Sequence, residues 1–196
     1  MDDVSLKNAL GNVDIYLLDQ LMKGRYSERD VILDAGCGSG RNFSFMTSLG
    51  FNITGCDTNK SSISKLKQQH PTKKLNVSNL KYLPYNSNYF DHIICNAVLH
   101  FATDHTEFKA MISELKRVLK PNGTLFIRMT SEFGIEHLIT PKEGQFLLPD
   151  GSNRFLLNNE LVDYLKLNFE FIEPLKTVNV SNLRCMSTLI LKKLEV

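Results

Sequence analysis

The chain has 196 residues, 42% of them apolar and 22% charged, with a formal net charge of +2. That length and composition suit a soluble globular protein that needs no metal or disulfide staple, and residues 1–196 are expected to form one domain. The small net charge argues against nucleic acid and anionic membrane as partners, and no apolar run approaches the ~18 residues of a membrane span.

The first residues, MDDVSLKNAL, are acidic and polar and lack a signal-peptide apolar region. Residues 14–23 carry Ile15, Leu18, Leu21 and Met22 at helical spacing, which predicts an amphipathic helix. A short buried strand over residues 31–34 runs into a glycine-rich turn, and residues 42–49 read as the helix after it. Residues 53–57 read as the next strand. Asn59, Ser61 or Ser62 then caps a helix whose inner face holds Ile63 and Leu66.

Residues 75–77 give a weak third strand and residues 92–96 a fourth. Between residues 106 and 120, Phe108, Met111, Ile112, Leu115, Val118 and Leu119 mark one apolar helix face, halted by Pro121 and Gly123. Residues 124–129 form strand five. These strands are continuous apolar runs alternating with helices, the pattern of a doubly wound, mostly parallel α/β sheet with helices on both faces.

The tail departs from that alternation. QFLLPDGSNRFLL places two apolar runs around a Pro-Asp-Gly turn and predicts a β-hairpin. A helix capped by Asn158 or Asn159 follows, with Leu161, Tyr164 and Leu165 on one side. LKTVNV and RCMSTLILKK then form an antiparallel pair that completes a seven-stranded sheet. Cys37, Cys56, Cys95 and Cys185 are scattered with no CxxC, which argues for reduced thiols, against a metal site and for the cytoplasm.

The glycine-rich turn, VILDAGCGSGRNF, carries the functional signal. No Gly-Lys pair occurs anywhere, so the turn is not a phosphate-binding P-loop. In a dinucleotide fingerprint a third glycine follows Gly36 and Gly38 at the position of Arg41, where a bulky side chain hinders helix packing; here Gly40 comes one place early. Asp57, 21 residues after Gly36, suits a ribose diol in any nucleoside site.

LDAGCGSGRN, GCDTNKSSI, LPYNSNYFDHIICNAVLHF and LKRVLKPNGTLFI, in this order over residues 30–130, resemble the class I S-adenosylmethionine-dependent methyltransferases. GCGSGRN and the tail NRFLLNNELVDYLKLNFEFIEPL are further similar to the small tellurite-resistance-type methyltransferases. The resemblance implies a Rossmann-like methyltransferase fold over the whole chain, S-adenosylmethionine as methyl donor and S-adenosylhomocysteine as product. It implies a cofactor site at Asp34, Gly36, Cys37, Gly38, Gly40, Arg41 and Asn42. Asp57 and Thr58 meet the ribose and adenine, Asn79 and Leu80 the adenine, and Asn96 the methionine part. Asn79 stands where the family carries an acidic residue, and Asn122 replaces a glycine of the family's Pro-Gly-Gly turn.

For the acceptor, His100 lies just beyond strand four, on the edge where open α/β sheets bind ligands; it either contacts the acceptor or acts as base, or it fixes its own loop. Arg184, which begins the last strand, and Arg154, which closes the hairpin, could each hold an anionic acceptor or be solvated. Tyr16 either covers the cofactor or is core. The hairpin around residues 146–156 is expected to fold over the reacting centre as a lid. The reading is methyl transfer to a small-molecule acceptor. Its rivals are a nicotinamide-dependent oxidoreductase and a cofactor-binding relative without activity.

Overall fold

The computed structural model describes residues 9–195. Helix α1 (Ile15–Met22) precedes strand β1 (Val31–Ala35), helix α2 (Arg41–Ser48), strand β2 (Asn52–Asp57), helix α3 (Lys60–Gln69) and strand β3 (Leu75–Val77). Strand β4 (Phe90–Asn96), a 3-10 turn (Leu99–Phe101), helix α4 (His105–Val118) and strand β5 (Leu119–Ser131) follow. Three short strands, β6 (Thr140–Lys142), β7 (Gln145–Leu147) and β8 (Asn153–Arg154), come next. Helix α5 (Asn159–Asn168) leads to strands β9 (Phe169–Phe171), β10 (Lys176–Val180) and β11 (Arg184–Lys193).

The main sheet runs β3-β2-β1-β4-β5-β11-β10. Its first five strands are mutually parallel, while β11 lies antiparallel to β5 and to β10. Both faces are buried, which is why the strands read as continuous apolar runs. In each central strand neighbouring residues face opposite layers: Leu33, Ile93 and Ile127 pack with Phe108, Leu115 and Leu161, whereas Ile32, Ile94 and Phe126 pack with Phe43, Met46 and Ile63. The first layer belongs to α4 and α5, the second to α1, α2 and α3. The chain order reverses between β1 and β4, so a crevice opens at their carboxyl ends, the place where open α/β sheets hold ligands.

Four of these helices begin at a side-chain cap: Asp14, Asn59, Asp104 and Asn158 accept from the amides of Tyr16, Ser62, Glu107 and Leu161. Asn59 and Asn158 are thus the caps among the alternatives the sequence offered. Helix α2 differs, starting at left-handed Gly40 with no side-chain cap.

Three expectations need correction. The helix expected to reach residue 120 ends at Val118, because Leu119 already pairs with Phe90 as the start of β5. An eighth strand, β9, pairs antiparallel with the end of β11; Phe169 and Phe171 look like the tail of the preceding helix in a linear reading. The predicted hairpin has a third strand, since β6 pairs with β7 as β7 pairs with β8. Asn122 does take a positive φ (62°), as its αL tolerance allows.

Candidate functional site

Asp34 is the penultimate residue of strand β1; its carboxylate is buried and its Oδ2 has no hydrogen-bond partner among the described residues. Burial, opposed by the nearby Arg41 guanidinium and reinforced by the Asp57 charge, pushes its carboxyl up to about 7. After Asp34 the chain turns sharply. Gly36, Gly38 and Gly40 all take positive φ, and the amides of Gly36 and Cys37 both donate to the Cys56 carbonyl of β2, at 2.8 and 2.9 Å. The Cys37 thiol is buried and held protonated by its apolar surroundings.

Gly40 has the packing function that a dinucleotide fingerprint gives to its third glycine. A Cβ there would lie 2.3 Å from Leu66 Cδ2, so the buried Leu66 side chain of α3 would have to shift to admit one. Arg41, the first residue of α2, is half-exposed and points along the sheet edge, its Nη2 donating to Asn96 Oδ1 at 3.1 Å. Arg41 thus lies clear of the helix contact: the turn is one residue shorter than a dinucleotide turn, and Gly40 makes the close approach. Gly40→Ala is expected to destabilise the fold by about 2–4 kcal/mol in urea denaturation, combining αL strain with overpacking. Gly38→Ala has no atom within 4 Å of its new Cβ and should cost only about 1 kcal/mol.

Asp57 closes the other side of the turn. Its Oδ2 accepts from the Gly38 amide and its Oδ1 from the Asn59 amide, both at 2.8 Å. A carboxylate offers about four lone-pair sites, so roughly two remain for a pair of hydroxyls. Thr58, beside it, is exposed. Further along the edge Asn79 is exposed with its Oδ1 engaged by the Lys81 amide at 2.9 Å, and Leu80 is buried in the core. Asn42 is buried too, and its Oδ1 accepts from the Asp14 amide at 3.1 Å, so its side chain holds the start of α1.

Asn96 ends β4, and its buried Nδ2 has no partner among the described residues. Ala97 follows with a φ of 61°, a left-handed residue that bends the chain back over the sheet edge and brings in the turn bearing His100. His100 is buried, its Nδ1 unpartnered among the described residues, and burial followed by the charges of Arg154 and Arg184 holds it down to about 4. His100, Arg154, Arg184 and Arg41 share a cavity of about 410 Å³ with Arg128.

Arg128 and Asp14 were not singled out from the sequence. Arg128 Nη1 donates to buried Asp14 Oδ2 at 3.1 Å, its guanidinium lies 4.8 Å from the Tyr16 ring centre, and its Nε has no partner among the described residues. The available signal was a single charge inside the apolar run LFIRM. Tyr16 thus covers an arginine.

The segment expected to act as a lid packs against the sheet edge and the turn bearing His100. The Phe155 amide donates to the His100 carbonyl at 3.0 Å, Gln145 Nε2 donates to the Ala102 carbonyl at 2.8 Å, and the Phe155 ring stacks on Phe108 at 5.4 Å. Leu148 and Leu156 pack with Ile135 and Cys185 in a separate small core beneath it. All four cysteines are buried and unpaired, and no helix among the described residues is long and apolar enough to cross a membrane.

Residues 33–127 match a family model described as a methyltransferase domain. Over 145 residues the chain is 27% identical to the probable S-adenosyl-L-methionine-dependent methyltransferase TehB of Haemophilus influenzae, covering 72% of this chain and 46% of that protein. An S-adenosylmethionine-dependent methyltransferase of Methanosarcina mazei has a solved structure that superposes with a TM-score of 0.74 at 26% identity, over 90% of this chain and 98% of that one. The 1,6-didemethyltoxoflavin-N1-methyltransferase of Burkholderia thailandensis, solved with its substrate and S-adenosylhomocysteine bound, shares the fold with a TM-score of 0.70 at 18% identity, over 99% of this chain and 80% of that one. The chain spans between 23% and 46% of the length of the first four curated relatives it matches. This strand order, this glycine turn and these likenesses together make the chain similar to S-adenosylmethionine-dependent methyltransferases, with residues 33–127 matching the methyltransferase domain.

Proposed function

We propose that the chain transfers a methyl group from S-adenosylmethionine to a small-molecule acceptor held beside His100. One observation carries this reading. Two buried polar atoms without partners among the described residues, Asp34 Oδ2 and Asn96 Nδ2, stand at the switch point of the sheet next to the glycine turn. A buried group of this kind costs about 1–3 kcal/mol unless something pairs with it, and the methionine end of the cofactor offers an ammonium for the one and a carboxylate for the other. Asp57, across the turn, has lone pairs left for the ribose hydroxyls. The open space above Gly38 lets a ligand approach the backbone.

The cofactor supplies a methyl group on a sulfonium, so the bond to the acceptor atom forms in line as the carbon–sulfur bond breaks. The chain's residues therefore align, neutralise and exclude water. Asp34 balances a cationic group, Arg41 holds Asn96 in place, and the β6–β8 wall shields one side of the cavity. Since burial and two arginines keep His100 neutral, it serves as a hydrogen-bond acceptor that orients the ligand more than as a base. Asn42 acts through Asp14 as a positioning residue.

Thermal denaturation with S-adenosylmethionine, S-adenosylhomocysteine, NADH and ATP tests the reading. A ligand at 100 times its dissociation constant adds about 2.7 kcal/mol, roughly 5–11 °C for a chain of this size. The first two compounds are expected to give that shift, and NADH and ATP none. An equal shift with NADH overturns the assignment in favour of an oxidoreductase. A shift with S-adenosylhomocysteine but no S-adenosylhomocysteine formed from S-adenosylmethionine across an acceptor screen identifies a relative that binds without transfer.

A further inference from the structure

The cavity beside His100 has an unusual charge balance. Four guanidinium groups, those of Arg41, Arg128, Arg154 and Arg184, line it. Among the described residues two carboxylates form ion pairs with them, Asp14, 3.1 Å from Arg128 and 3.6 Å from Arg41, and Asp150, 3.7 Å from Arg184 Nε, while Asp34 stands near Arg41 without a direct pair. Arg154 has no carboxylate within ion-pair distance among the described residues, and His100 in the same cavity stays neutral. Arginines brought together on one wall repel each other, an arrangement that stabilises the protein less than it prepares a site for negative charge.

Two of the arginines are also held in place. Arg154 lies over the Phe101 ring at 4.9 Å and donates to the Asn153 carbonyl at 2.6 Å, while Arg128 is clamped between Asp14 and Tyr16. His100, nine-tenths buried, adds an Nδ1 with no partner among the described residues. These are independent signs of a built site: four arginines on one cavity, two of them held by their neighbours, and a buried histidine on the same cavity with an unpaired ring nitrogen among the described residues.

The rest of the wall narrows the class of ligand. Phe101, Val180 and Met186 supply apolar surface to the same cavity. A volume of about 410 Å³ falls in the ~300–1,000 Å³ range of small-molecule sites and leaves most of the space empty around a bare inorganic oxyanion. Resting on the methyltransferase reading above, we propose that the acceptor is an organic acid. Its ionised oxygens pair with Arg154 and Arg184, and its hydrocarbon body lies on Phe101, Val180 and Met186. Arg128, at the sheet end of the cavity, completes the positive field. In this assignment Arg154 and Arg184 determine specificity: they discriminate an acid from its neutral isostere, which leaves their donors unpaired.

The test uses the wild-type chain saturated with S-adenosylhomocysteine and titrated calorimetrically with benzoate, phenylacetate and hexanoate, each beside its own amide, and with sulfate as a bare anion. At least one carboxylate is expected to bind about tenfold or more tightly than its amide and than sulfate, the difference of one charge-assisted bidentate pair. Arg154→Met and Arg184→Met should each remove about tenfold of that affinity while leaving S-adenosylhomocysteine binding within about threefold. Val180, the half-exposed last residue of the edge strand β10, can take Val180→Glu, which sets a repelling charge on the rim; it should weaken the carboxylate by a larger factor than the amide.

Amides matching their carboxylates in all three pairs would overturn the proposal. Sulfate binding as well as the best carboxylate would replace it with a site for bare anions, and undiminished carboxylate affinity in both arginine variants would remove the assigned anchors. If the wild-type chain does not bind S-adenosylhomocysteine at all, the methyltransferase reading fails, and that failure is distinct from any of these.

Discussion

Asp34→Asn is expected to make the free protein more stable at pH 8 and to weaken S-adenosylhomocysteine by about 100-fold or more. The two effects have one cause. Asp34 is buried, and its folded-state carboxyl is raised from 3.8 to about 7 by burial, with Asp57 adding to the rise and Arg41 opposing it. A raised carboxyl binds its proton more tightly in the folded state, so the stability it confers is present below about pH 4 and is lost as the pH climbs through about 7. A shift of that size corresponds to something on the order of 4 kcal/mol. Asparagine carries no charge to bury and should recover about 1–4 kcal/mol above pH 7, read as an increase in the urea midpoint that disappears at pH 4.

Ligand affinity should move the other way with pH. Only ionised Asp34 pairs with an ammonium, so wild-type affinity for S-adenosylhomocysteine should rise up to tenfold per pH unit toward about 7, then level off until the ligand's own ammonium deprotonates. In Asp34→Asn that slope should vanish along with most of the affinity, as expected when a buried charge pair loses one partner. A variant that is stabilised but binds with unchanged affinity and the same pH slope would place the cationic end of the ligand elsewhere.

The legibility of this site in the sequence follows physical lines. Asp34, the three glycines and Asp57 stand out because each answers a local demand: a strand end, a left-handed turn, a second strand end 23 residues on from the first. Asn96 and His100 follow from the same rule for β4. Arg128 and Asp14 did not emerge, because their significance is a contact between residues 114 positions apart, which no local pattern encodes. Asn42 was assigned to the cofactor by its place at the start of α2, yet burial turns its side chain toward Asp14. The strands themselves were readable wherever both faces are apolar. Strand β6, with its three exposed residues, and β9, continuous with a helix, lack that signature. The antiparallel β10–β11 pair was legible from the short turn at Ser181 and Asn182, both of which take positive φ.

Asp57→Ala is expected to cost cofactor binding about 2–4 kcal/mol, a loss of roughly 30- to 1,000-fold in affinity. Two contributions combine in that number. The carboxylate anchors the turn through the Gly38 amide and the start of α3 through the Asn59 amide, and it keeps lone pairs for the ribose. Loss of the anchors alone would soften the turn and lower stability by about 1–2 kcal/mol, since both amides lose a charge-assisted partner but stay near water. Loss of the ribose contact would show as a change in discrimination. Wild-type protein should prefer S-adenosylhomocysteine to its 2′-deoxy analogue by about tenfold or more, whereas Asp57→Ala should bind the two equally. If the variant keeps the wild-type preference while losing affinity for both, Asp57 shapes the turn without touching the ribose, and the hydroxyls must find their partner elsewhere along the edge of β2.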